Sequence, residues 1–93
     1  MTPEPRLTLR LSAEDRALVW EYGYPFADLK AQLERVTAVN KVCSVTIEPF
    51  YLDHLLADLI RSMKTIRRRA LLERLDELYI EIECQAAEQG YSP

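Results

Sequence analysis

Twice along this chain, a short run of alternating apolar and polar residues is followed by residues with helical spacing. Leu7, Leu9 and Leu11 alternate with polar neighbours, and the same pattern recurs from Cys43 to Ile47. A period of two is typical of a strand with one buried face, so both runs are predicted to be short strands. Two strands alone are marginal in water, which means that helices or a second copy of the chain must cover them.

Each predicted strand leads into helical patterns. Ser12 is expected to cap a first helix that ends at Gly23, because helices often end on a residue with positive φ. Pro25 is expected to occupy the first position of a second helix, and Pro49 the first position of a third. The apolar face of the second helix consists of Phe26, Leu29, Leu33 and Val36.

Two arguments disagree on whether the third and fourth helices are continuous. The apolar stripe of the third runs from Leu52 to Ile66, and the stripe of the fourth, from Leu71 to Ala86, lies about 140° further around the axis. Against a break, no Gly or Pro lies between Phe50 and Gln89, and a separate helix would place residues 67–69, all arginine, at its positive end. Burial of many large side chains outweighs a few screened charges, so a turn near residues 63–67 is predicted.

The predicted fold is therefore α+β: a helix-dominated small domain with two short strands and three to four helices, in the order strand-helix-helix-strand-helix-helix. Residues 1–93 are expected to form a single domain, with residues 1–5 and 90–93 flexible, and the direction of strand pairing stays open. The residues predicted to be largely buried are Phe26, Leu29, Leu33, Leu55, Leu56, Leu59, Leu75 and Ile82.

Composition narrows the compartment and the class of partner. No stretch approaches the roughly 18 apolar residues needed to span a bilayer, and residues 1–6 contain no apolar signal core, so a cytoplasmic protein is expected. Cys43 and Cys84 fit that compartment as reduced thiols. The net charge of −3 argues mildly against bulk nucleic-acid binding.

No catalytic, cofactor or metal site is predicted. His54 is the only histidine, and a His54–Asp58 pair at i,i+4 could resemble a base with its orienting carboxylate; the interpretation preferred here is an exposed helical histidine beside an acid. With Gly23 and Gly90 as its only glycines, the chain cannot build a glycine-rich phosphate loop.

Four aromatic residues cluster where the first two helices meet: Trp20, Tyr22, Tyr24 and Phe26. One interpretation is a pocket for a peptide or ligand, because amphipathic aromatic residues dominate binding hot spots. The other is that the rings close the open end of a small core, with the tyrosine hydroxyl groups reaching water.

A basic cluster is followed by an acidic stretch. The basic residues are Arg61, Lys64, Arg67, Arg68 and Arg69, and the acidic residues include Glu81, Glu83 and Glu88. The basic cluster could be a solvated face, an ionic contact with a protein, or a nucleic-acid site. For nucleic acid, interleaved aromatic residues or a known motif would be expected, and neither is present.

The last helix has more apolar surface than one contact needs. A candidate dimer seam runs at three- and four-residue spacing through Leu72, Leu75, Tyr79, Ile82 and Ala86, and Leu71, Leu78 and Ile80 lie outside it. The surplus indicates either a homodimer or a wide, deeply buried helix. In an antiparallel dimer, residues 67–69 of one chain would meet residues 81–88 of the other.

The sequence favours a non-enzymatic, dimeric protein–protein interaction or regulatory module. The alternative is a small nucleic-acid-binding regulator that uses the basic cluster at residues 61–69. A weaker alternative is a ligand-binding protein that uses the aromatic corner at residues 20–26.

Overall fold

A computed structural model describes residues 6–91; the expectation of flexibility for residues 1–5, 92 and 93 lies outside this range. The elements are β1 (Leu7–Leu11), α1 (Ala13–Tyr22), α2 (Ala27–Arg35), β2 (Cys43–Ile47), α3 (Pro49–Met63) and α4 (Arg69–Glu88). This order confirms the predicted α+β fold. No helix in the described range is both long and apolar enough to cross a membrane.

The two strands pair antiparallel, with Leu7 opposite Ile47 and Leu11 opposite Cys43. In this register, the leucines of β1 and the apolar residues of β2 share one face of the sheet, because side chains alternate along a strand. All four helices contribute to the core against that face. Its buried apolar residues are Leu7, Leu9, Leu11, Val19, Leu29, Leu33, Val45, Ile47, Leu52, Leu55, Leu56, Leu59, Leu75, Leu78, Ile82 and Ala86.

The predicted break between the third and fourth helices is confirmed. Helix α3 ends at Met63 and α4 begins at Arg69. The turn is closed locally: the Thr65 hydroxyl donates to the Ser62 carbonyl oxygen (2.9 Å). Both helices therefore turn their apolar stripes toward the same core, which one straight helix could not do.

Two details of the α1–α2 corner differ from expectation. Gly23 ends α1 with φ −95°, and the residue with positive φ is Tyr24 (φ 47°). Glycine is needed at position 23 for space, because an added Cβ would lie 2.5 Å from Leu55 Cδ1. Pro25 precedes the N-cap residue Phe26 instead of opening α2, whereas Pro49 does open α3.

Glutamine side chains cover the outer edge of β1. The Thr8 amide donates to Gln89 Oε1 (2.8 Å), and Gln89 Nε2 donates to the Thr8 carbonyl oxygen (2.7 Å). The Arg10 amide and carbonyl make the same pair of bonds with Gln85, at 2.7 and 3.0 Å. Gln85 and Gln89 are four residues apart on α4, so they meet successive outward-facing residues of the strand.

The outer edge of β2 has a matching contact from the opposite side. The Thr46 amide donates to Gln32 Oε1 (2.8 Å), and Gln32 Nε2 donates to the Thr46 carbonyl oxygen (2.8 Å). Gln32, Gln85 and Gln89 are the only glutamines in the sequence. Each one replaces the peptide group of a missing neighbouring strand, and together we call them the glutamine clamps.

Tyr91 lies in the segment expected to be flexible, yet it packs against the core. Its amide donates to the Ala86 carbonyl oxygen (3.0 Å), and its hydroxyl group donates to the Asp53 carboxylate on α3. Desolvation, followed by the bond to Asp53, raises the Tyr91 pKa, so the hydroxyl group keeps its proton.

The clamps predict a specific loss of stability. Gln85→Ala removes two hydrogen bonds and should lower the free energy of unfolding by about 1–2 kcal/mol. Gln85→Glu keeps the length but loses the amide donor, and its carboxylate faces the Arg10 carbonyl oxygen, so a loss is expected here too. Urea melts at constant m-value provide the measurement.

Glu88→Ala, at an exposed position of α4, is the control and should stay within about 0.5 kcal/mol. Equal stability of Gln85→Ala and Glu88→Ala would show that the clamp contributes nothing.

Candidate functional site

The four aromatic residues predicted to form one site do not lie together. Tyr24 and Phe26 line a cavity between the α1–α2 corner and the start of α3, whereas Trp20 lines a groove between α1 and α2. Tyr22 packs in part against the core. We call the first cavity, with the rings around it, the aromatic corner.

The rings of the aromatic corner come from two segments of the chain. Phe26 lies 4.9 Å from Tyr51 and 5.5 Å from His54, measured between ring centroids, and Phe50 lies 5.2 and 4.8 Å from the same two rings. The tilted and edge-on contacts are those that aromatic quadrupoles favour. His54 is therefore an exposed member of a ring cluster.

Sequence reasoning missed Phe50 and Tyr51 as members of this site. A signal was present, because Pro-Phe occurs at residues 25–26 and again at residues 49–50, each time at the start of a helix. Strand β2 runs back along α2, where Gln32 bonds to Thr46, so the start of α2 lies near the end of β2, and α3 begins there.

The cavity of the aromatic corner encloses about 190 Å³. Leu29, Ile47 and Leu55 form its apolar floor, and Asp28 and Glu48 lie at its rim. The Arg6 side chain joins the two rim carboxylates: it pairs with Asp28, and its Nη1 lies 3.4 Å from Glu48 Oε1. The site thus combines an apolar floor, aromatic walls and a polar rim, an arrangement typical of binding pockets.

The interpretation that these rings close the core is wrong for Tyr24 and Phe26. Tyr24 is 67% exposed and Phe26 47%, so Phe26 also departs from the predicted buried set, whose other members are all buried. Phe26 is turned outward because it is the N-cap residue of α2, with extended backbone. Tyr24 holds a left-handed φ that costs a non-glycine residue about 1–2 kcal/mol. A strained, exposed aromatic residue beside a cavity is a recognised mark of a functional site.

The candidate seam on α4 does not lie on one accessible face. Leu75, Ile82 and Ala86 are fully buried in the chain's own core, together with Leu78, which was placed outside the seam. Tyr79 is partly buried against that core and Leu72 is at its exposed margin. The core therefore uses the main apolar face of the helix, and the outward apolar residues are Leu72 and Ile80.

The basic residues 67–69 lie exposed at the start of α4. Arg68 is the N-cap residue and makes no side-chain cap, and Arg69 pairs with Glu73 on its own helix (3.5 Å). No ion pair joins Arg67, Arg68 or Arg69 to Glu81, Glu83 or Glu88 within the described chain. Positive side chains at the positive end of a helix destabilise it slightly, so this cluster is not there for helix stability.

His54 is exposed, as the preferred interpretation expects, and makes no hydrogen bond with Asp58 among the described residues; the Asp58 carboxylate accepts a hydrogen bond from Arg61 (3.0 Å). Within residues 6–91, no three His, Cys, Asp or Glu side chains come together in a way that could hold a metal ion.

A charged cluster joins α4 to the start of α1. Arg74 pairs with the buried Asp15 and with Glu14, whose Oε1 lies 2.6 Å from Arg74 Nε. The hydrogen bond with Asp15 is the main cause of a raised Arg74 pKa. Glu81 lies beside the same carboxylate, and its pKa is raised by desolvation and then by the charge of Asp15.

The raised pKa of Glu81 predicts that removing the charge of this residue stabilises the fold. Ionised Glu81 is disfavoured in the folded chain, so it destabilises the fold at neutral pH, and protonation relieves that effect as the pH falls through the raised pKa. Glu81→Gln should therefore raise the melting temperature at neutral pH, and the gain should disappear in acid.

Glu77→Gln is the matched control, because it makes the same charge change on α4 beside Arg74 (3.9 Å). Thermal melts over a pH series provide the measurement. No gain in melting temperature for Glu81→Gln at neutral pH would contradict the raised pKa of Glu81.

Comparison with known proteins finds no matching protein family, no similar curated protein and no similar solved structure.

Proposed function

We propose that this chain is a non-enzymatic protein–protein interaction module that binds a partner segment at the aromatic corner. The observation that supports this most is the exposure of Tyr24 and Phe26 beside one apolar cavity, with Phe50, which is 58% exposed, packed against Tyr51 of its wall. Exposed rings that surround a pocket are the usual hot spots of protein recognition.

The volume of the cavity supports one large apolar side chain of the partner as the group that enters it. A dry cavity of about 150 Å³ accepts benzene, so the 190 Å³ here suits one large apolar side chain. The floor of Leu29, Ile47 and Leu55 offers that side chain no polar partner. A leucine, methionine or phenylalanine of the partner fits this environment.

The rim indicates what flanks that side chain. Asp28 and Glu48 place two carboxylates beside the single guanidinium of Arg6, which leaves a net negative rim. The exposed ring faces of Tyr24 and Phe26 also attract cations. We therefore propose a partner segment with a lysine or arginine next to its apolar anchor.

Selection from a random peptide library on phage tests this proposal. The selected peptides should share one large apolar residue with an adjacent basic residue. Phe26→Ala should weaken their binding about tenfold or more, as expected for a hot-spot residue. Val42→Ala, which alters an exposed apolar residue outside the aromatic corner, is the control and should bind normally. Peptides without this pattern, or equal binding to Phe26→Ala, would refute the proposal.

We further propose that two copies associate through α4, on a face that shares only Leu72 with the candidate dimer seam. Arg69, Leu72, Asp76, Ile80 and Glu83 are spaced by three or four residues, so they form one stripe along the helix. In an antiparallel pair centred on Asp76, Leu72 of one copy meets Ile80 of the other, and Arg69 meets Glu83. The apolar area is small, so the association is expected to be weak.

Joining of sheet edges is a less suitable route to a dimer. The glutamine clamps already satisfy the outward groups of Thr8, Arg10 and Thr46, and covered edges do not template further strand pairing.

Charge reversal tests the helix pairing. Arg69→Glu should weaken dimerisation at low salt, and adding Glu83→Arg in the same chain should restore it, because the pair is only exchanged. Asp76→Asn should strengthen the dimer by removing repulsion at the two-fold axis. Sedimentation velocity over a concentration series provides the measurement, and a monomer at high micromolar concentration would refute the dimer.

The alternative function, nucleic-acid binding through residues 61–69, is favoured by one observation. Arg67 and Arg68 are exposed and have no ion-pair partner among the described residues. Should Arg69→Glu leave the oligomeric state unchanged, binding of duplex DNA with a steep salt dependence would support this alternative.

A further inference from the structure

The groove between α1 and α2 contains a second cavity, which shares no lining residue with the cavity of the aromatic corner. It measures about 560 Å³, within the range of roughly 300–1,000 Å³ that is usual for small-molecule sites. Ala13, Ala17, Trp20 and Leu33 form an apolar lining. The side chain of Arg16 also lines it, and this residue is the unusual feature of the site.

Arg16 is buried, at 5% exposure, and no carboxylate among residues 6–91 pairs with it. Its Nη1 donates to the carbonyl oxygens of Leu11 (2.9 Å) and Lys41 (2.8 Å), and its Nη2 donates to those of Val36 (3.4 Å) and Val39. The neighbouring carboxylates are used elsewhere, since Glu14 and Asp15 both pair with Arg74. Buried arginines are normally paired with an acid, because an isolated charge is costly to desolvate.

One N–H donor of the Arg16 guanidinium makes no hydrogen bond among the described residues. Four of its five N–H groups bond to the backbone. The Nε–H has no partner among the described residues and is not a buried unpaired donor, so it is open to solvent. A carboxylate in the cavity would accept this hydrogen bond and would also neutralise the buried charge. Charge-assisted bonds of this kind are about twice as strong as neutral ones.

We propose that this groove binds a small organic acid, with an aromatic or aliphatic body joined to a carboxylate. The body packs against Trp20 and Leu33, and the carboxylate accepts the Nε–H of Arg16. Lys30 lies outside the lining, with its Nζ 5.3 Å from the centre of the Trp20 ring, and adds a second cation beside that ring. Glu21 and Glu34 also line the cavity, but both are exposed, so solvent and salt weaken their repulsion.

Trp20 is the only tryptophan in the chain, so its fluorescence reports on this groove alone. Phenylacetate is the probe, and phenylacetamide is its neutral match. A saturable change in Trp20 fluorescence is expected with phenylacetate, and binding of the amide should be about tenfold weaker or more. No saturable change with phenylacetate, or equal binding of the amide, would overturn the proposal.

Two variants separate binding from folding, because replacing Arg16 itself could unfold the chain. Ala17→Leu fills the cavity from an exposed helical position, where leucine is nearly as good a helix former as alanine, and it should abolish binding while the melting temperature is kept. Glu34→Gln removes a rim charge and should tighten binding of phenylacetate more than that of phenylacetamide. Unchanged binding to Ala17→Leu would place the ligand elsewhere and overturn the proposal. This outcome is independent of peptide binding at the aromatic corner.

Discussion

The fold depends on hydrogen bonds between glutamine side chains and the outer edges of a sheet that has only two strands. Such a sheet leaves outward-facing amide and carbonyl groups on both sides, and a pair of strands is marginal in water. Gln85 and Gln89 satisfy the outward groups of Arg10 and Thr8 on the β1 edge, and Gln32 satisfies those of Thr46 on the β2 edge, each by a donated and an accepted bond. The primary amide has the same donor and acceptor as a peptide group, so a helix can stand in for a strand.

The same bonds fix where the helices lie. Gln32 ties α2 to β2, and the two glutamines of α4 tie that helix to β1, so the sheet is held between helices at both edges. The aromatic corner forms where α2 and α3 begin on either side of β2, and the acid-binding groove forms where α2 leaves α1. Both candidate sites are therefore consequences of how the sheet edges are covered. Buried Arg16 adds to this by bonding the carbonyl groups of the segment that enters β2.

Periodicity was enough to predict the order of the elements. The alternation at Leu7–Leu11 and Cys43–Ile47 identified the strands, and the phase jump between Leu52 and Ala86 identified the break before Arg69. These signals are local, because the period of the apolar residues along an element largely decides which of its faces is buried. Seven of the eight residues predicted to be buried followed from the same reasoning, Phe26 being the exception.

The errors concern which of several apolar residues faces the core. Phe26 fits the apolar face of α2, but as an N-cap residue it has extended backbone and points outward. The seam on α4 followed heptad spacing, whereas the core selected Leu78 in addition to Leu75, Ile82 and Ala86. The clamps were not predicted because a helical glutamine normally indicates a solvated face; Gln89 and Thr8 are 81 residues apart, and only the tertiary fold brings them together.

Amide hydrogen exchange of the outward-facing strand residues tests this account most directly. The amides of Thr8, Arg10 and Thr46 point away from the partner strand and bond to glutamine oxygens. We predict that they exchange slowly, at rates close to those of Leu9 and Val45 between the strands, since hydrogen-bonded amides exchange only when the structure opens. Fast exchange at Thr8, Arg10 and Thr46, beside protected Leu9 and Val45, would show that the edges are open and would contradict the account.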